Sequence, residues 1–128
     1  MKIVGSLEII GIRDPNTQNE RVLIKAINPT KLDGYLIINS KITLEGKLHI
    51  LNDRAFWFPR DIEVKGGEYI RVYTVKKGNY KKSESKYGQE DAVFHDFFWG
   101  LDKPMWDMVT SNAVTVFEIR TWNTASKG

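Results

Sequence analysis

The 128-residue chain carries nineteen Lys and Arg against sixteen Asp and Glu, a net charge of +3, and contains no cysteine. That length fits one domain with a core of its own, and the missing thiols exclude disulfides, thiolate catalysis, Fe–S clusters and cysteine-ligated zinc. At 41% hydrophobic and 27% charged the composition is that of a soluble globular protein, and no apolar run reaches the roughly 18 residues that span a bilayer.

Short runs rich in Val, Ile, Tyr and Phe recur along the chain with Gly, Asn, Asp and Pro between them, the pattern of successive strands. Ile3 to Ile12 is a first extended run, ended by the turn residues Asp14-Pro15-Asn16. Arg21 to Asn28 is a second strand, stopped by Pro29, and Tyr35 to Ile38 a third after the turn Lys31-Leu32-Asp33-Gly34. Residues Ile42 to Leu51 read as one strand bent at Gly46 or as two short ones. Phe56-Trp57-Phe58 precedes Pro59 and reads as a short edge segment, because Pro cannot donate to a ladder. The clearest alternation follows the Gly66-Gly67 turn: Ile70, Val72 and Thr74 share one face, while Tyr69, Arg71, Tyr73 and Val75 share the other. Residues 76–91 are expected to form a polar, basic loop, and Ala92 to Trp99 and Ala113 to Trp122 the last strands. No window sustains a helical apolar stripe. Residues 1–128 therefore read as one all-β domain, a sandwich or a barrel of seven to nine short strands.

The small net charge hides an asymmetry. Residues 76–86 set Lys76, Lys77, Lys81, Lys82 and Lys86 against Glu84, a balance of +4. Residues 87–118 set Lys103 against Glu90, Asp91, Asp96, Asp102, Asp107 and Glu118, a balance of −5. Lysines attract phosphate by counterion release and tyrosines stack on bases, so Lys76, Lys77, Tyr80, Lys81, Lys82, Lys86 and Tyr87 are candidate contacts for a nucleic acid. A solvated loop explains the same residues, since no Arg and no base-reading element accompany them.

Catalytic constellations are scarce. The two histidines are His49, in a strand pattern between Leu48 and Ile50, and His95, between Phe94 and Asp96. Asp91, His95 and Asp96 have the chemistry of metal ligands, yet Asp91 and His95 on one strand would stand about 13 Å apart, too far to share an ion. Neither a metal, a cofactor nor an enzymatic activity is expected. Aromatics are abundant, with four Trp, five Tyr and six Phe. Consecutive strand residues face opposite sides, so Phe56-Trp57-Phe58 and Phe97-Phe98-Trp99 cannot all point inward. Trp57 and Trp99 are therefore candidate surface contacts.

Several stretches, taken in order, resemble the lamin tail domain family. Glu20 to Asn28 is similar to the family's strand that runs into an Asn, and Lys31-Leu32-Asp33-Gly34-Tyr35-Leu36-Ile37 resembles its L-x-G-W-x-L element with Tyr35 in place of Trp. Phe58-Pro59, Ile62 and Gly67 to Thr74 resemble the segment in which a Gly introduces the next strand. Phe98-Trp99-Gly100 and Pro104 to Asp107 resemble the two Trp-containing segments before the final strand, here Val114 to Ile119. The basic loop at 76–91 is longer than the family pattern, and Asp107-Met108-Val109 replaces its usual turn. The resemblance implies an immunoglobulin-like β-sandwich of about seven to nine antiparallel strands and a non-catalytic role. The expectation is a cytoplasmic protein-interaction module whose partner is another protein, a second copy of the chain included. A nucleic-acid-binding domain is the alternative, and a small enzyme or metal-binding protein centred on Asp91, His95 and Asp96 a third.

Overall fold

The computed structural model describes residues 2–51, 55–59, 61–106, 113–121 and 123–127. Among them are twelve strands: β1 (Ile3–Val4), β2 (Leu7–Arg13), β3 (Arg21–Ala26), β4 (Thr30–Lys31), β5 (Tyr35–Ile42), β6 (Leu48–Ile50), β7 (Phe56–Trp57), β8 (Glu63–Val64), β9 (Tyr69–Tyr73), β10 (Lys81–Tyr87), β11 (Glu90–Phe98) and β12 (Ala113–Glu118). One turn of 3-10 helix, Leu32–Gly34, leads into β5. The chain is all-β, with more strands than the seven to nine expected: the first run divides at the Gly5-Ser6 turn, and β4, β8 and β10 are additional.

A large sheet has the order β1-β2-β3-β9-β11-β10, and a smaller one the order β12-β5-β6 with β7 also paired to β5. β4 and β8 form a separate two-stranded ribbon. The two larger sheets share one core. Leu7, Val22, Ile24, Ile70, Val72 and Phe97 from the large sheet meet Tyr35, Ile37 and Val116 from the small one, with Phe58, Trp99 and Trp106 among them. This is a β-sandwich, closed by alternation: inward residues are apolar at every second position. At β9 the outcome is as the alternation predicts, with Ile70, Val72 and Thr74 buried inward and Tyr69, Arg71 and Tyr73 on the outer face.

Two expectations are corrected. Not every pair is antiparallel, since β9 and β11 run parallel. The chain leaves β9, crosses to the sheet edge as β10, and returns as β11 between them, so β10 itself serves as the long crossover that a parallel pair needs. Nor is 76–91 a loop: Lys81 to Tyr87 pair residue by residue with Asp96 to Glu90. The strand went unseen because an edge strand open to solvent on both sides needs no apolar residue. The turn Gly88-Gln89 joins the hairpin, with Gly88 at φ +65°, the positive φ that a two-residue hairpin asks of its first central residue. Asp14 and Asn16 likewise sit at φ +48° and +60° in the turn their residue types predict. The final strand stops at Glu118, and Trp122, Asp107, Met108 and Val109 lie outside the described residues.

Glu20, the residue before β3, is fully buried. Its Oε1 accepts from Thr74 Oγ1 at 2.8 Å and from the Met105 amide at 2.7 Å. Its Oε2 accepts from the amides of Asn16 at 2.8 Å and Trp106 at 3.0 Å. Four donors occupy the four acceptor sites of one carboxylate, which ties the β2–β3 turn, the end of β9 and the chain entering the last strand to one point. Replacing Glu20 by Gln turns one of these oxygens into a donor aimed at other donors. The expected loss is about 3 kcal/mol of stability, read as a lower urea midpoint, with faster amide exchange at Met105 and Trp106. A variant with the wild-type midpoint would refute the clamp.

Candidate functional site

The outer face of the large sheet alternates rings and cations. Tyr87 lies against Tyr69 with centroids 4.5 Å apart, Tyr69 stacks on Phe94 at 5.5 Å, and Tyr73 on Phe98 at 5.5 Å. Lys25 caps Tyr69, Arg71 lies 4.0 Å from the Phe94 centroid, and Arg21 and Lys76 approach Tyr73. Arg71 is itself held by Asp96 through two hydrogen bonds of 2.6 and 2.8 Å, a bidentate pair. The charged groups themselves lie over the ring faces, a cation–π arrangement that covers ring surface. Leu23, Tyr69 and Phe94 are thereby buried on a sheet face without a second sheet above them.

The lysines singled out in the sequence do not converge. In β10, Lys81 faces outward opposite Asp96, whereas Lys82 and Lys86 face the other side opposite His95 and Asp91. Lys86 is ion-paired to Asp91 at 2.6 Å. Lys76 belongs to the outer-face ladder, and Lys77 packs under Gly100. Tyr87 ends in the ladder, while Tyr80 turns inward onto Phe97 at 4.9 Å. Trp99 is in the core at 5% exposure, which corrects its reading as a surface contact; alternation sends Phe97 and Trp99 inward and Phe98 outward. Trp57 is 46% exposed, and its neighbours Phe56 and Phe58 point to the core as alternation requires.

Asp91, His95 and Asp96 do not converge: Asp96 binds Arg71 on the outer side, and Asp91, on the inner side with His95 but four residues along β11, binds Lys86. Among the described residues no three His, Asp or Glu side chains gather as metal ligands. His95 instead sits in a buried chain on the inner side. Tyr80 Oη lies 2.7 Å from Nδ1, and Nε2 lies 2.8 Å from Glu68 Oε1. The tautomer that satisfies all three has Tyr80 donating to Nδ1 and Nε2–H donating to Glu68. A hydroxyl–imidazole–carboxylate relay resembles a nucleophile's support, but the tyrosine is tuned the opposite way. Burial and the Glu68 charge push the Tyr80 hydroxyl above its usual range and keep it protonated. Burial also pushes the Glu68 carboxyl up, yet the Lys65 amide, the His95 hydrogen bond and the Lys82 charge outweigh it and hold the group below its ordinary value. Two clefts, of about 740 and 370 Å³, meet at Glu68.

The outer face of the small sheet is different in kind. β5 directs Leu36, Ile38, Ser40 and Ile42 to it, and the register adds Leu48 and Ile50 from β6, Trp57 from β7, and Ala113, Thr115 and Phe117 from β12. None of these side chains is charged. Ile38 and Ser40 at its centre are buried. Around the β5–β6 hairpin the face is open: Ile42 is 57% exposed, Leu48 38% and Ile50 62%, with Leu44 at the tip fully exposed. Sequence reasoning singled out Trp57 and missed the rest, although the signal was present. Ile42, Leu44, Leu48 and Ile50 alternate with Thr43, Glu45, Lys47 and His49, the period of a strand with one buried face. Here that half of the pattern stands exposed.

No family model matches the chain, and no curated protein matches it at a significant level. Among the described residues no helix is long and apolar enough to cross a membrane.

The Glu68 relay sets an acid dependence. A carboxyl held below its ordinary value near 4.5 in the fold contributes stability that is present above that value and lost as pH falls through the lower, folded one. Glu68→Gln is expected to flatten the acid limb of stability against pH, followed by urea unfolding from neutral to acid pH. An acid limb as steep as in the wild type would remove this role.

Proposed function

We propose that this domain is a non-catalytic protein-interaction module that engages its partner through the outer face of the small sheet. The observation that carries the reading is the open apolar face around Ile42, Leu48, Ile50 and Trp57. Exposed, contiguous apolar side chains on a folded domain mark sites of contact, and here they form the half of an alternating pattern that a strand normally buries. The architecture proposed with it is the immunoglobulin-like sandwich of the lamin tail family. It is supported by two sheets on one core, by the Gly67 turn that introduces β9, and by the burial of Trp99 and Trp106 in that core.

A second reading, nucleic-acid binding, has its own observation in the cations Arg21, Lys25, Arg71 and Lys76 ranged over rings on the other outer face. Its weakness is that these rings are already covered by those cations. Both readings are tested together. The tagged domain and its Ile50→Lys and Lys81→Glu variants are used to capture proteins from a native extract. Partners of the wild type are expected to persist with Lys81→Glu and to be lost with Ile50→Lys; retention by Ile50→Lys would sink the module reading. Anisotropy of a labelled single-stranded oligonucleotide at low salt decides the second, since phosphate contacts weaken steeply as salt rises. Absence of binding even at low salt removes it.

A further inference from the structure

We infer that the occupant of the small sheet's outer face is a second copy of this chain, packed sheet on sheet about a two-fold axis. The inference rests on the module reading and specifies its partner. Its first support is the absence of charge. Leu36, Ile38, Ser40, Ile42, Leu48, Ile50, Trp57, Ala113, Thr115 and Phe117 include no ionisable group, in a chain that is 27% charged. An isologous interface sets each patch against itself. A charged face would meet like charge there, whereas this one meets only apolar and hydroxyl groups.

The second support is area. Exposures of 106% at Leu44, 62% at Ile50, 57% at Ile42, 46% at Trp57 and 38% at Leu48, at about 200 Å² for each large side chain when fully open, amount to roughly 600 Å² per copy. Two copies together bury at most roughly 1,200 Å², the lower end of specific interfaces. The third support is the geometry of the hairpin. Beyond Ser40 its two strands extend past the shared core, with Lys41 and His49 exposed on one side and Ile42, Leu48 and Ile50 on the other. One side is suited to water and the other to a sheet packed about 10 Å away, as sandwich layers pack. An identical sheet also has the same pleat and twist, so its side chains interdigitate as those of aligned sandwich layers do.

The test is the mass in solution of the full chain, by sedimentation velocity across a concentration series, for the wild type and for Ile50→Lys. Ile50 is exposed in the single chain, so Lys is tolerated by the fold, and unchanged thermal unfolding at low concentration confirms this. A wild-type dimer is expected, with its dissociation constant raised at least about tenfold by Ile50→Lys, because a lysine head group would be desolvated in the interface. Quenching of tryptophan fluorescence by acrylamide supplies a second readout. It is expected to fall as the wild type is concentrated and to lose that dependence in Trp57→Phe. A wild type that stays monomeric to its solubility limit, or a variant that dimerises as tightly, overturns the inference. If the wild type is monomeric while Ile50→Lys still loses the captured partner, only the second copy is overturned. If capture also persists, the module reading falls with it.

Discussion

One buried carboxylate sets the geometry on which the rest of this sandwich depends. Glu20 has no ion-pair partner among the described residues; its carboxylate is met by four neutral dipoles from Asn16, Thr74, Met105 and Trp106. A buried charge is tolerated only when its hydrogen bonds are complete, so the four donors are held at fixed positions once Glu20 is inside. Three of the four belong to segments distant in sequence, and one of these carries the buried indole of Trp106 into the core between the sheets. The clamp thus places Met105 and Trp106, and β12 pairs with β5 to complete the small sheet. A second carboxylate does the same at the opposite corner: Glu118 of β12 accepts from Tyr35 Oη, which in turn accepts from the Ser6 amide in the β1–β2 turn. That corner leaves no room beside Gly5, where an added Cβ would lie 2.0 Å from the Glu118 carboxylate.

With both corners fixed, the large sheet has one face on the core and one face without a covering layer. The chain fills the second face with its own cations. Arg71, pinned by Asp96, roofs Phe94, and Lys25 roofs Tyr69. This explains how β11 can be buried on both sides while the sandwich has only two main sheets. It also explains why the basic character of residues 76–87 does not produce one basic patch. The strand period deals Lys81 to the outer side and Lys82 and Lys86 to the inner, where Glu68 and Asp91 meet them.

Much of this was legible in the residues, for physical reasons that differ from element to element. Alternation identified the two faces of β9 and the outward turn of Trp57, because burial imposes a period of two wherever one face is dry. It misplaced Trp99 only because it cannot say which of two alternating sets points inward. β10 was invisible for the complementary reason: a strand wet on both faces carries no period. The Glu20 clamp and the Tyr80–His95–Glu68 relay were illegible, since each joins residues far apart in sequence through single hydrogen bonds that leave no trace in composition. The parallel pairing of β9 and β11 is a consequence of where β10 lies, and so shared its concealment.

The two outer faces pose one physical problem and receive two solutions. Each is a sheet face of a small domain, rich in apolar side chains, and each must be shielded from water. On the large sheet the shielding is intramolecular: cations on the same and neighbouring strands fold over the rings, at the cost of ordering long side chains, and the charge they bring makes the face soluble. On the small sheet no cation lies over a ring among the contacts of the described residues. Its ten positions carry no Lys, Arg, Asp or Glu, although the same hairpin puts Lys41 and Lys47 elsewhere on its surface. The proposed second copy would shield the exposed hairpin end of this face as the cations shield the rings of the other, since an uncharged, pleated surface is complementary to its own copy.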